Sequence, residues 1–197
     1  MVRIRGPWWG GYQLEFKLIP KADHDKLRDN HEKMRIQAQV VGPDQRRVFS
    51  ADFSKYEFTQ GKQEHELDRY TIYVYTPIMV DVEKLRAICQ QMPEYPMRGR
   101  GRARARDFYD IHLVVTKEDA DLTARENLDL LASVFAAKRV PLALLGNVHK
   151  QREFHRPDWP AVVNAVGGPI EEFDRYFDFV AAQVERIVER LKVLGNV

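Results

Sequence analysis

Apolar and polar residues alternate in the N-terminal part of the chain, which is the period of a half-buried β-strand. The clearest apolar stripe comprises Tyr12, Leu14, Phe16 and Leu18. Further short strands are predicted at residues 34–41, 46–53 and 70–75, with a helix at residues 21–33 and a turn at Gly42-Pro43. Together these elements predict a small mixed β-sheet in the N-terminal half.

Beyond Pro77 the apolar residues follow the i, i+3, i+4, i+7 spacing of amphipathic helices. The apolar face of the first helix comprises Val82, Leu85, Ile88, Cys89 and Met92. Pro93 ends that helix, and the next one has an inner face of Phe108, Ile111, His112 and Val115. A further helix is predicted at residues 124–138. The C-terminal half is therefore predicted to be a helical bundle.

The predicted fold class is α+β. Residues 1–78 form its strand-rich part, and residues 79–197 form a helical part that packs on it as one compact unit. The last helix carries a heptad seam of Phe173, Phe177, Val180, Val184, Ile187, Leu191 and Leu194. The favoured interpretation is a helix packed on its own domain, and the alternative is a coiled coil with a partner chain.

Composition and charge narrow the class of protein. The 197 residues are 44% hydrophobic, which is enough to bury a core. Basic residues number 31 and acidic residues 29, so binding to nucleic acid would depend on local clustering of charge. Cys89 is the single cysteine, and no apolar run approaches the roughly 20 residues of a membrane span. These features predict a soluble, cytoplasmic protein without a disulfide.

An arginine-rich segment carries the strongest chemical signal. Its alternating cations are Arg98, Arg100, Arg102, Arg104 and Arg106. Asp107 and Asp110 follow directly, and their i, i+3 spacing puts both carboxylates on one helix face. This combination suggests phosphate chemistry. In the structural alternative, the arginines are solvated and the two aspartates complement the N-terminal dipole of their helix.

Three motifs in this order resemble the AbiEii-type nucleotidyltransferase toxins of abortive-infection systems. The first is a lysine in a short helical motif, Lys84-Leu-Arg-Ala87, and the second is Arg106-Asp-Phe-Tyr-Asp110 about twenty residues later. The third is Phe154-His-Arg-Pro-Asp-Trp159, ahead of the C-terminal helix. The resemblance spans most of the chain and implies a nucleotidyltransferase-like fold.

The resemblance also implies roles for individual residues. It assigns Lys84 to the triphosphate of a nucleotide, and Asp107 to activation or metal-linked positioning of the acceptor, with Asp110 as a further catalytic candidate. Arg104 and Arg106 would neutralise phosphate charge, and Glu15 would bind Mg²⁺. The implied reaction transfers a nucleotide from a nucleoside triphosphate to an RNA acceptor, tRNA in some family members, with release of pyrophosphate. A cognate antitoxin is the implied partner.

One family motif has only a loose counterpart in this chain. It consists of a glycine turn, a helix and a strand that bears Asp-x-Asp, the pair that holds the metal ions. Gly10-Gly11 and Asp23-His-Asp25 match its spacing, but residues 12–18 are predicted to be a strand where the motif has a helix. The better alignment makes Glu15 the third metal-binding carboxylate. The chain would then represent a shortened gene, a split gene whose upstream partner supplies Asp-x-Asp, or a degenerate paralogue.

Three hypotheses remain open from the sequence. The first is a nucleotidyltransferase-like toxin whose activity alone is uncertain. The second is a catalytically inactive remnant that binds RNA or a partner through the arginine segment. The third is an interaction protein that recruits a second chain through the heptad seam. Lys84 and Glu15 also have structural alternatives, as a solvated flank of its helix and as an exposed strand residue. His155 has no metal-ligand spacing to other residues and is interpreted as a structural or surface histidine.

Overall fold

The computed structural model describes residues 10–41, 45–97 and 99–195. The predicted turn at Gly42-Pro43 and the first arginine of the run, Arg98, lie outside these ranges. The chain divides into two compact units, Met1–Tyr56 and Glu57–Val197. The boundary predicted from the sequence, between the strand-rich and the helical part, lies after residue 78. The packing of these two parts on each other stays a prediction.

The first unit contains a β-hairpin with two short helices in its connection. Strand β1 (Gly11–Phe16) pairs antiparallel with β2 (Phe49–Ser54), with Gly11 opposite Ser54 and Phe16 opposite Phe49. The rings of Phe16 and Phe49 stack at 5.6 Å between centroids. Glycine is required at position 11, because a Cβ there would overlap the carbonyl oxygen of Phe53. The strand predictions at residues 12–18 and 46–53 are confirmed in position.

The two helices of this unit correct one prediction. Helix α1 (Lys21–Leu27) ends at Arg28, whose φ of 41° lies in the left-handed region, and α2 (His31–Gln37) follows. The predicted strand at residues 34–41 is therefore wrong: residues 34–37 belong to α2, and residues 38–41 form no strand. The physical reason is local: the Asn30 side chain accepts a hydrogen bond from the Lys33 amide at 3.1 Å and caps α2. Capping outweighs the alternation of apolar residues in this segment.

The second unit begins with a second hairpin, β3 (Gln63–Leu67) paired antiparallel with β4 (Tyr70–Val74). Its two-residue turn places Asp68 and Arg69 at φ values of 50° and 68°, as a type I′ turn requires. The prediction at residues 70–75 is confirmed, whereas β3 was not predicted. The α+β class is confirmed, but the described strands form two antiparallel sheets rather than one mixed sheet, because β1 pairs with β2 and β3 with β4.

Helices make up the rest of the second unit. They are α3 (Pro77–Cys89), α4 (Ala105–Lys117), α5 (Arg125–Ala137), α6 (Arg152–His155), α7 (Trp159–Val166) and α8 (Phe173–Val193). Two 3-10 helices, Leu142–Gln151 and Arg156–Asp158, flank α6. Thr76 begins α3 by accepting a hydrogen bond from the Met79 amide at 3.2 Å, with Pro77 in the first turn. The helices predicted from the apolar spacing are confirmed, except that α3 ends at Cys89 and not at Pro93, so Met92 lies beyond it.

Helix α8 buries its apolar seam inside this unit. Phe177, Val180, Val184, Ile187 and Leu191 are all buried, and α8 packs against α4 and the longer 3-10 helix. The interpretation that this helix packs on its own domain is confirmed, and the seam is therefore not available for a partner coiled coil. Among the helices in the described ranges, none is both long and apolar enough to cross a membrane.

Candidate functional site

Lys84 joins helices α3 and α4 through two carboxylates. Its Nζ lies 2.7 Å from Oδ2 of Asp110 and 3.3 Å from Oδ1 of Asp107. Asp107 is in the first turn of α4 and Asp110 lies one turn later, so both side chains leave the same face of that helix. Lys84 is more than twenty positions from either aspartate in the sequence, and packing of α3 on α4 brings it to them.

Two arginines complete the cluster on the side of α4. Arg104, at the N-cap of α4, donates from Nε to Oδ2 of Asp107, and Nε of Arg106 lies 3.5 Å from Oδ2 of Asp110. The Asp107 side chain is only 7% exposed, whereas that of Arg106 is 57% exposed. The cluster therefore combines the buried Asp107 carboxylate and the partly buried Asp110 carboxylate with a cationic edge open to solvent. The structure brings together five of the six predicted site residues, and their catalytic roles stay predictions.

Asp81 is a member of this cluster that the sequence analysis missed. It is 0% exposed, and neither carboxyl oxygen has a hydrogen-bond partner among the described residues. Burial raises the pKa of Asp81 to about 8, opposed by the charge of Lys84 and reinforced by that of Asp110. Its i, i+3 spacing to Lys84 on an amphipathic helix was the one signal in the sequence that could have identified it.

His155 contacts the cluster through the backbone of Arg104. Its Nδ1 accepts a hydrogen bond from the Arg104 amide at 3.0 Å, and its ring lies 5.1 Å from that of Phe108. The imidazole is fully buried, and burial, with the nearby charge of Arg104, lowers the pKa of His155 to about 4. The neutral imidazole fixes the backbone of Arg104, the N-cap of α4, through this hydrogen bond. The interpretation of His155 as structural is thus confirmed, at a position 51 residues from its partner.

The remaining predicted residue, Glu15, lies in the first unit. It is exposed on β1 opposite Ser50. Asp23 and Asp25 are on helix α1, not on the strand that an Asp-x-Asp metal pair needs. The described residues contain no group of three His, Cys, Asp or Glu side chains that could hold a metal ion, and Asp107 and Asp110 already pair with cations. These residues do not fit Mg²⁺ as they stand, and its role stays a prediction.

The charges of the cluster favour an anion. At neutral pH, Lys84 and the two arginines face the salt-bridged carboxylates of Asp107 and Asp110, while Asp81 is protonated. Three cations thus meet two carboxylates, and the excess charge is positive. An ammonium and two guanidinium groups supply several N–H donors at the exposed edge, where phosphate oxygens can accept charge-assisted hydrogen bonds.

The fold and the site define an α+β protein whose helical unit carries a lysine–aspartate cluster with a cationic edge. The family model described as nucleotidyl transferase AbiEii toxin, type IV toxin–antitoxin system, matches residues 11–182. The chain therefore belongs to the AbiEii nucleotidyltransferase toxin family, and membership implies a cognate antitoxin. No curated protein and no solved structure matches the chain.

Proposed function

We propose that the cluster around Lys84 binds the triphosphate of a nucleotide, and that the protein is a toxin that takes part in nucleotide transfer to an RNA acceptor. The observation that supports this most directly is the ammonium of Lys84, held 2.7 Å and 3.3 Å from two carboxylates beside a solvent-exposed arginine edge. A tRNA acceptor would place the reaction in the cytoplasm.

Each residue has a defined task in this proposal. Lys84 moves from its carboxylates to the triphosphate, because a phosphate oxygen offers an equally strong charged acceptor. Arg104 and Arg106 neutralise the remaining phosphate charge. Asp107, released from part of its ion pairing, accepts a proton from the attacking hydroxyl of the acceptor, and Asp110 orients Lys84.

Mg²⁺ is the metal that the family resemblance implies. Mg²⁺ would neutralise charge on the attacking and leaving oxygens, and Glu15 is its ligand in the family alignment. Because the described residues supply no complete ligand set, the proposal routes no step through the ion. It includes a shortened or split form of the enzyme, in which the aspartate pair comes from outside the described residues.

The test is calorimetric titration with each nucleoside triphosphate, with and without Mg²⁺, for the unmodified protein and Lys84→Ala. We expect Lys84→Ala to weaken binding roughly 10- to 100-fold, because a charged hydrogen bond contributes about 1.5–3 kcal/mol. Lys117→Ala is the matched control: Lys117 lies at the far end of α4, is exposed, and should leave affinity unchanged. Equal affinity in the two variants would refute the role of Lys84.

A second candidate function is RNA binding without catalysis. It is favoured by Arg100, Arg102 and Arg106, which are exposed along one segment. Such binding would follow the phosphate backbone and weaken steeply with salt. In the same set of variants, tRNA binding that is salt-dependent, needs no Mg²⁺ and survives Lys84→Ala, together with no response to any nucleoside triphosphate, would replace the enzymatic proposal with this one.

A further inference from the structure

Asp81 is a buried acid in the core of the helical unit. It lies on α3 one turn before Lys84, is fully buried, and offers two carboxyl oxygens that accept no hydrogen bond from any described residue. An ionised carboxylate without a partner is costly to bury, so the fold favours the neutral acid. A neutral acid at this position needs an explanation, because a small apolar side chain would leave no polar atom without a hydrogen bond.

The charged groups around Asp81 indicate why an acid is present at this position. The charges that act on it come from Lys84 on its own helix and Asp110 on α4. Those two groups are themselves in contact with Asp107 and Arg106. From the other elements packed against α3, the buried cation at the end of α5, Lys138, pairs with Glu57, and His149 of the longer 3-10 helix faces the groove beside α8.

We propose that Asp81 is a positioning residue that sets how far the Lys84 ammonium extends toward the cationic edge of the site. As a neutral acid, Asp81 leaves the ammonium to Asp107, Asp110 and an incoming anion. Once its proton has passed to solvent, the new carboxylate attracts the ammonium inward and adds negative charge beside the anion. The consequence for phosphate binding rests on the function proposed above, whereas the coupling between Asp81 and Lys84 does not.

The coupling can be measured without any ligand. The Cε chemical shift of Lys84 is followed by NMR in protein labelled with ¹³C-lysine, assigned with Lys84→Arg, over a pH range from about 6 to 10. We expect a step near the Asp81 pKa of about 8 in the unmodified protein and no step in Asp81→Asn. A step that persists in Asp81→Asn, or that is absent from the unmodified protein, would overturn the proposal. If the variant folds poorly, absence of the step from the unmodified protein still overturns the proposal.

The effect on binding uses inorganic tripolyphosphate as the probe. Raising the pH from 7 to 9 should weaken its binding to the unmodified protein about tenfold more than to Asp81→Asn, because one buried charge is added next to Lys84. Tripolyphosphate also loses a proton in this range, and the comparison between the two proteins removes that contribution. Asp129→Asn, on the exposed face of α5, is the control and should behave like the unmodified protein.

The NMR titration and the tripolyphosphate titration distinguish the coupling between Asp81 and Lys84 from the proposed phosphate site. Absence of tripolyphosphate binding together with the Lys84 step would refute the phosphate site and support the coupling. Binding with the same pH dependence in both proteins would refute the role of Asp81 and leave the phosphate site intact. Both effects present would support both.

Discussion

Replacing Phe108 by alanine should cost about 3–5 kcal/mol of the free energy of unfolding, the range observed for buried Phe→Ala changes. Phe108 is fully buried and lies between Asp107 and Tyr109 in α4. Its ring stacks on Phe177 at 5.1 Å and meets Phe173 edge-on at 5.6 Å, so it fixes α4 to α8. The cavity would lie between α4 and α8, beside the rings of Phe173 and Phe177. Urea unfolding followed by circular dichroism measures the loss.

The control for this prediction is Phe53→Ala on strand β2. Phe53 is 55% exposed, and its removal should cost well under half as much, because little apolar area leaves a buried position. Loss of similar size in both variants would contradict the view that Phe108 anchors the site. Nucleotide affinity should also fall in Phe108→Ala, because α4, which carries Asp107 and Asp110, loses its fixed position against α8.

The sequence predicted those elements whose burial has one clear period. Helices α3, α4 and α8 each turn an apolar face into one core, and that periodicity is visible in the residues. Strand β3 shows no such periodicity, because its residues Gln63–Leu67 are all exposed. Backbone pairing with β4 alone makes this segment a strand. The segment after Asn30 alternates like a strand, yet one capping hydrogen bond starts a helix there.

The candidate site was predictable only in part, for a related reason. Asp107 and Asp110 share a helix face by spacing alone, and the resemblance to a family added Lys84. Asp81 and His155 depend on long-range packing: α3 must lie on α4 to bury Asp81 beside Asp110, and His155 reaches Arg104 across 51 positions. Helix spacing relates Asp81 to Lys84, but no local pattern encodes contacts between distant elements, so Asp81 was missed and the contact of His155 with Arg104 was not predicted.

Relative to the unmodified chain, Asp81→Asn should gain stability as the pH rises from about 4 to about 8, and the gain should level off above that pH. A carboxyl with a raised pKa in the folded state stabilises that state only while it is protonated. For Asp81 this contribution is complete below its unfolded pKa of about 3.9. It declines as the pH rises and is lost above the folded pKa of about 8. Asparagine carries no proton to lose, so it avoids this decline.

The size of the gain follows from the shift in pKa, and the other buried titrating group can be separated from it. Each pKa unit corresponds to about 1.4 kcal/mol, so the difference between the two proteins should change by roughly 3–5 kcal/mol between pH 4 and pH 9. His155 acts in the opposite direction: its lowered pKa, about 4, gives stability that is complete above its unfolded pKa and lost as the pH falls through 4. Because both proteins contain His155, its contribution cancels in the difference.

Urea unfolding of both proteins at several pH values measures the difference in their free energies of unfolding. A difference independent of pH would show that Asp81 is ionised in the folded state throughout. The Lys84 ammonium would then already be compensating a third carboxylate, and the positive charge available to a phosphate would be smaller than the structure indicates.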